Sequence, residues 1–266
     1  MNIITLDWID ITIASGLVIA LAVLSFYQRL ALEKQILIAG VRTIIQLLLV
    51  GMVLKALFSD VRLSWVILMA TVMLLVAGYE VMARQKRRLR GLWGYGIGTV
   101  SMFITSFTVT LFALLVIIGN EPWYQPQYAI PLLGMMLGNT MNGIAISLDR
   151  LMSGAWQQRT MIEGRLMLGQ RWQEAIGDLR REALRAGMIP TINGMATVGI
   201  VSLPGMMTGQ ILSGTVPVEA VKYQILIMFM ISAGAGFGAV IALQLGAKRL
   251  FDERQRLRLE RLQSAD

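Results

Sequence analysis

The sequence predicts an all-α, polytopic integral membrane protein of about seven transmembrane helices, with the N-terminus outside and the C-terminus cytoplasmic. Three observations predict it. The 266 residues are 56% hydrophobic with a mean hydropathy of +0.64, and 15% are charged, against about 25% in a soluble domain. Uncharged or nearly uncharged runs recur at 8–27, 36–58, 64–83, 95–118, 128–148, 187–203 and 219–246, most of them near the roughly 20 residues that cross a bilayer core. The basic residues collect in alternate connections between these runs. No polar segment is long enough to fold by itself, so residues 1–266 are read as one transmembrane domain.

The elements follow in order. The opening MNIITLDWID has no basic n-region and no small-residue cleavage site, so no removed signal peptide is expected. Arg29 and Lys34 follow the first run. Arg84, Lys86, Arg87, Arg88 and Arg90 separate the third from the fourth. Arg150, Arg159, Arg165, Arg171, Arg180, Arg181 and Arg185 separate the fifth from the sixth. Lys248, Arg249, Arg254, Arg256, Arg258 and Arg261 occupy the tail. The intervening connections hold Arg62 alone, and Asp7 and Asp10 precede the first run without a base. Basic residues mark cytoplasmic loops, and an odd number of spans satisfies both ends. The net charge of +8 is thereby read as membrane orientation and not as nucleic-acid binding.

The sixth run is too long. From Ala186 to Val218 there is no charge, and at ~1.5 Å per residue a single helix would measure about 50 Å against a ~30 Å core. The run holds VSLPGMMTGQILSG, and Pro204-Gly205 is expected to end the helix, since proline lacks a donor and glycine is flexible. Span six is then 187–203. Residues 205–217 form either a broken, re-entrant segment or, after a tilted helix, an outer loop.

Two segments lie outside the spans. Residues 149–187 form a long helical loop in which Trp172, Ile176, Leu179 and Ala183 share an apolar stripe and Gly169 separates two helices. The tail, 247–266, is basic and cytoplasmic by the same rule, and its FDERQRLRLERLQSAD stretch reads as a short amphipathic helix of mixed charge, attracted to anionic lipid. The loop has two readings, lying on lipid or docking into a cytosolic partner.

Cys and His are absent, which excludes disulfides, thiolate or imidazole metal sites and every nucleophile scheme built on them. No G-x-x-x-x-G-K-[ST] is present, so ATP is not hydrolysed by a P-loop of this chain. Hard cations need oxygen ligands. The donors inside the runs are Asn139, Asn142, Thr140, Thr208, Gln210 and Gln46, with Glu80 and Glu219 near span ends. Asn139 and Asn142 share a helical face, where amides either glue helices or line a path. Glu80 and Glu219 are either interfacial or functional. Arg42, inside span two, either snorkels or contacts an anion or Glu80. The Met135-Met136 and Met206-Met207 pairs could suit a soft metal, but methionines spread over most spans read as core filler. The AGAGFG stretch at 233–238 is expected to pack tightly on a neighbouring helix.

Glu163 and Gly169, with the spacing E-x-x-x-x-x-G, resemble the cytoplasmic EAA-type loop of ABC-transporter permeases, with GlyArg in place of AlaAla after the Glu. RTIIQLLLVG (42–51), GMMLGNTMNG (134–143), LG…EA (168–175) and IP…VGIVSLPGMMTGQILSG…P…A…YQI (189–225) resemble the Fet-type permease family, over about 30–246. These are the membrane subunits of a bacterial iron-export ABC transporter, related to plant aluminium-tolerance permeases. The resemblance implies a multi-pass permease of the bacterial inner membrane, dimeric, surrounded by lipid, binding no nucleic acid and working with a separate ATPase that holds ATP and Mg. No cofactor is expected on this chain, and no metal ligands are assigned. Docking to the ATPase would use Glu163, Leu168, Gly169, Trp172 and Glu174. The pathway or hinge would use Asn139, Asn142, Pro204, Gly205, Met206, Met207, Thr208 and Gln210. Two other classes stay open: a stand-alone secondary transporter, which would need a coupling carboxylate such as Glu80, and a non-transporting scaffold that regulates an ATPase. An enzyme is not expected.

Overall fold

A computed structural model describes residues 7–264. The chain is all-α apart from two three-residue strands, and among the described residues six helices are long and apolar enough to cross a membrane. It divides into two compact units, one made of residues up to Arg62 with Leu212–Gly214, the other of Leu63–Ile211 and the residues from Thr215 onward.

The first unit is a helical hairpin, α1 (Trp8–Tyr27) and α2 (Glu33–Ser59). The Asp7 backbone N–H donates to Asp10 Oδ2 over 2.8 Å, satisfying a group that the helix start leaves without an intrahelical partner. Arg29 and Ala31 turn the chain with positive φ. Within the span window of α1 only 11% of residues are buried in protein, and in α2 none. Long, largely apolar helices so little covered by their own chain suit lipid as solvent.

The second unit begins with α3 (Leu63–Ala83) and β1 (Arg87–Leu89). A continuous helical span, Leu92–Ile118, follows. It consists of α4 (Leu92–Met102), a π-helical turn (Phe103–Phe107), α5 (Thr108–Phe112) and a second π-helical turn (Ala113–Ile118). Next come α6 (Pro126–Gln157), α7 (Arg159–Met167), α8 (Trp172–Ala175), α9 (Gly177–Thr197), α10 (Gly205–Leu212), α11 (Pro217–Leu250) and β2 (Leu262–Ser264). The central helix is α6, packed against α3, α9 and α11. Its Met136, Ile144, Leu148, Leu151 and Met152 are fully buried. Against it α11 presents Gly234, Ala235, Gly238, Ala239 and Ala242, all buried. A Cβ on Gly238 would stand 2.7 Å from Thr140 Cγ2, so the two backbones approach as only small residues allow. The AGAGFG expectation is met there.

Three expectations need correction. Pro204-Gly205 does not end a helix. The helix α9 starts at Gly177, inside the expected loop, and stops at Thr197, short of the expected 203. Its end is made by Val198, in extended conformation, and by Gly199 at φ +85°, a left-handed backbone that suits glycine. Thr197 C=O then accepts from the Val201 N–H at 2.9 Å. Pro204 instead starts α10, its C=O accepting from Thr208 N–H at 3.0 Å. Proline is tolerated at a helix start because donors there have no partner in any case. The second correction concerns the 149–187 loop. Its first residues belong to α6 and its last to α9, with α7, the turn at Gly169 and α8 as separate elements between them, in place of two helices divided at Gly169. The third concerns 251–266, read as an amphipathic helix: among its described residues only Leu259–Arg261 is helical, as one 3-10 turn. The segment Phe251–Leu257 closes on itself through a β-bridge, and β2 pairs antiparallel with β1, Leu262 opposite Leu89. Tertiary pairing overrides the helical pattern because Asp252 gathers the guanidinium groups of Arg256 at 2.8 Å and Arg258 at 3.1 Å, curling the chain back.

Candidate functional site

Two places in the second unit collect the polar residues that the sequence singles out. The first is a narrow cleft of about 110 Å³ between α6, α9 and α11. Asn139 and Asn142 line it from α6, Pro190, Thr191 and Gly194 from α9, and Met228 and Ile231 from α11. The local chemistry explains the opening. Pro190 sits inside α9, where it removes one helical hydrogen bond and strains the preceding turn. Gly187 lies so close to α6 that a Cβ there would be 2.5 Å from Gly143 O. The helix is therefore pinned at Gly187 and loosened at Pro190, and the gap lies alongside.

The amides in the cleft have different partners. Asn139 Nδ2 donates to its own helix at Met135 O, 2.8 Å away. Asn142 Oδ1 accepts from Arg84 Nη1 of the chain just beyond α3. Arg84 also pairs with Glu80 at 3.8 Å. Glu80, which the sequence offers as an intramembrane carboxylate, thus belongs to a Glu80–Arg84–Asn142 chain of contacts ending at the cleft. Arg84 is the residue that sequence reasoning passed over. In the sequence it is one base among five, and no local signal shows that it reaches an amide on another helix. The cleft lining itself offers, among the described residues, the neutral oxygens of Asn139, Asn142 and Thr191 and no carboxylate, and Asn142 Oδ1 is already engaged by Arg84. Among the described residues no group of three or more His, Cys, Asp or Glu could hold a metal ion.

The residues from Pro204 to Gln210 are not brought to this cleft. They form α10, in which Met207 is buried and Thr208 Oγ1 donates to Pro204 O at 3.1 Å. Arg42 is exposed on α2 in the first unit. Glu219 opens α11 and pairs with Lys222 at 2.7 Å, a surface ion pair at a helix start.

The second place is the α7–α8 projection. Gly169 has φ +88°, so the chain turns sharply there at little steric cost. Met167 and Leu168 are 83% and 85% exposed, a bare apolar tip. Behind it the projection is rigid. Ile162, Ala175 and Ile176 are buried, and Arg165 binds Ala175 O at 3.2 Å and Asp178 at 3.0 Å. Hydrogen bonds from Arg165 and Arg181 hold the Asp178 carboxyl below its usual range. Trp172 stacks on Phe251 with ring centroids 5.5 Å apart, and its backbone N–H donates to Gln255 Oε1 at 3.0 Å. Glu174 Oε2 accepts from Arg171 N–H at 3.3 Å. Of the five residues expected to dock, Glu163, Leu168 and Gly169 lie on the open side. Trp172 and Glu174 brace the turn. Glu163 and Gly169 also border a cavity of about 670 Å³ whose far wall is the tail from Arg254 to Arg258.

Comparison with known proteins agrees with this architecture. The model of the uncharacterised protein family UPF0014 matches residues 8–251. A UPF0014 membrane protein of Synechocystis is 41% identical over 255 residues, covering 96% of this chain and 98% of the relative. The protein named "Probable iron export permease protein FetB" of Escherichia coli K12 is 34% identical over 255 residues, 93% of each chain. The UPF0014 membrane protein STAR2 of Oryza sativa subsp. japonica is 36% identical over 231 residues, 86% of this chain and 79% of the relative. No solved structure matches the chain at the same stringency. The chain is a multi-pass membrane protein and belongs to the UPF0014 family, which includes the Fet-type permeases it resembles.

Proposed function

We propose that this chain is the membrane-spanning permease subunit of an ABC-type exporter of a metal ion, iron being the first candidate, and that a separate ATPase supplies ATP hydrolysis. The relative named as an iron export permease supports the permease reading. The observation that carries the coupling part is the α7–α8 projection: an exposed Met167-Leu168-Gly169 tip on a braced helical turn, flanked by Glu163. A tip of that kind fits an apolar cleft on a partner, and the Trp172–Phe251 stack behind it carries a push into α11. The proposed path is the α6–α9–α11 cleft, with Asn139 and Asn142 exchanging hydration-like oxygen contacts with the ion. Alternating access needs an element with two packings, and α9, pinned at Gly187 and weakened at Pro190, is that element. In this reading the basic ends, including the α7–α8 projection and the tail, are cytoplasmic, and α9 with α10 supplies the seventh, interrupted crossing. A second copy of the chain completes the transporter.

The first check is whether a solitary ABC ATPase is encoded in the neighbouring reading frame. Reconstituted with that ATPase, the protein is expected to stimulate hydrolysis on addition of a transported metal ion. Gly169→Trp or Glu163→Lys should leave the protein inserted and lower ATPase binding about tenfold or more, the scale of an interface hot spot. Undiminished binding by both variants would remove the docking assignment and leave the projection as a lipid-surface element.

A further inference from the structure

At the end of the bundle where α4 begins and α11 ends lies a cavity of about 990 Å³. Its two walls have opposite chemistry. One is apolar and belongs to spanning helices: Trp93, Ile97 and Val100 along one face of α4, joined by Leu245 of α11. Trp93 and Val100 are 52% and 47% exposed. The other wall is predominantly basic and belongs to the end of α11 and the folded tail, with Lys248, Arg249, Arg254, Arg256 and Arg261 against Asp252 and Glu253. There Arg249 lies over the Trp93 ring, 4.5 Å from its centroid. Arg256 is committed to Asp252. Lys248 and Arg254 border the same cavity and have no ion pair among the described residues.

The bases are held in place by the fold. Arg261 Nη1 donates to Arg249 O at 2.8 Å and to Phe251 O at 3.2 Å, tying the tail to the end of α11. The β1–β2 pairing fixes the next residues. A cation over an indole face gains electrostatic energy from the ring, and tryptophan at the start of a span sits at headgroup level. The cavity therefore offers unpaired positive charge beside an apolar wall at the membrane boundary. A small soluble anion would use the charge and leave the wall bare. A neutral lipid would use the wall and leave the charge uncompensated. A lipid with a net negative headgroup uses both.

We propose that this cavity binds an anionic phospholipid, its phosphate between Lys248, Arg249 and Arg254 and an acyl chain along Trp93, Ile97 and Val100. The assignment is independent of the transport reading, and it is tested by binding alone. The experiment is native mass spectrometry of the purified full-length protein titrated with phosphatidylglycerol and with phosphatidylcholine of identical chains. Phosphatidylglycerol is expected to bind at least tenfold more tightly. Removing two bases near an anionic lipid should cost roughly tenfold or more, so Lys248→Gln with Arg254→Gln should erase most of the preference. Trp93→Ala should weaken binding of phosphatidylglycerol, whereas Arg159→Gln, an exposed base elsewhere, should leave it unchanged. Lys248 and Arg254 are both exposed, and a thermal melt checks that the double variant is folded. If it is not, Arg254→Gln alone is expected to lose several-fold. Equal binding of the two lipids, or a preference that survives the folded basic variants, would overturn the proposal. Displacement of the lipid by millimolar inorganic phosphate, with Trp93→Ala without effect, would overturn it in favour of a free-phosphate site.

Discussion

The helix α6 has two neighbours that it treats differently. Towards α11 it is sealed: Gly234, Ala235, Gly238 and Ala239 bring the backbones together, and Thr140 is fully buried between them. Towards α9 it is close along the first half of that helix, at Gly154, where a Cβ would overlap Leu179, and at Gly187, and a few residues past Gly187 the contact opens around Asn139 and Asn142. Small residues in a regular row make a seam with one packing. A close glycine followed by a proline leaves the helix beyond it free to pivot. In the proposed transport cycle the static frame of the second unit is α6–α11 and the moving part is α9.

The largest effect that can break this comparison is at the seam. Gly238→Val would put a branched side chain where a Cβ alone meets Thr140 Cγ2 at 2.7 Å. Overpacking a well-packed core costs about 1–3 kcal/mol, so the purified protein should melt several degrees lower or fail to accumulate in the membrane. A melt unchanged within about one degree would mean that the seam is looser than described.

In the cleft the ranking reverses. Asn142→Leu removes an amide held by Arg84, a polar contact whose mean worth between membrane helices is only about 0.6 kcal/mol. Stability should change little. Metal-stimulated ATP hydrolysis in the reconstituted complex should fall roughly tenfold, as expected where a substrate-contacting group is lost. A stability loss as large as that of Gly238→Val, with hydrolysis intact, would make Asn142 a helix bridge and not a pathway residue.

The turn after α9 sharpens the comparison further. Gly199→Ala places a Cβ at φ +85° and should cost about 1 kcal/mol. Pro204→Ala with Gly205→Ala, at the start of α10, should cost less than that, because the break is already made upstream. Thermal melts of the two variants, side by side, check the order.

The smallest effect concerns the tail. Hydrogen bonding by the Arg256 backbone N–H, with the guanidinium groups of Arg256 and Arg258, lowers the Asp252 carboxyl from 3.8 to about 2. A carboxyl with a depressed folded-state pKa stabilises the fold above its unfolded value, and that contribution is lost as pH falls through the folded one. The tail should therefore be indifferent to pH near neutrality and loosen only between about pH 4 and 2. Hydrogen exchange over 251–264 measures this. Loosening already at pH 6 would contradict the assigned contacts.

How much of this was legible in the sequence depends on range. The spanning runs, the small-residue seam at 233–238 and the turn at Gly169 are local patterns, and hydropathy or glycine spacing exposes them. Asn139 and Asn142 could be placed on one face by their spacing alone. Their partner Arg84 could not, since its contact joins positions 58 residues apart. The end of α9 was misread because Pro204 is the conspicuous breaker, while the helix stops at Val198-Gly199, where a left-handed backbone does the work without a distinctive residue pair. The tail was misread for the opposite reason. Its charge pattern favours a helix locally, and the pairing of Leu262 with Leu89 is a long-range contact that no local pattern reports.

The central claim is that water and substrate reach α6 on its α9 side and not on its α11 side. Because the chain contains no cysteine, single substitutions test it directly. Asn142→Cys and Thr191→Cys in the cleft should react with a water-soluble methanethiosulfonate far faster than Ala239→Cys and Ala242→Cys in the seam, since only a hydrated thiol ionises and reacts. ATP and the partner ATPase should change the rates at 142 and 191 and leave the seam silent. Equal rates at the four positions, or faster reaction at 239 and 242, would contradict the account.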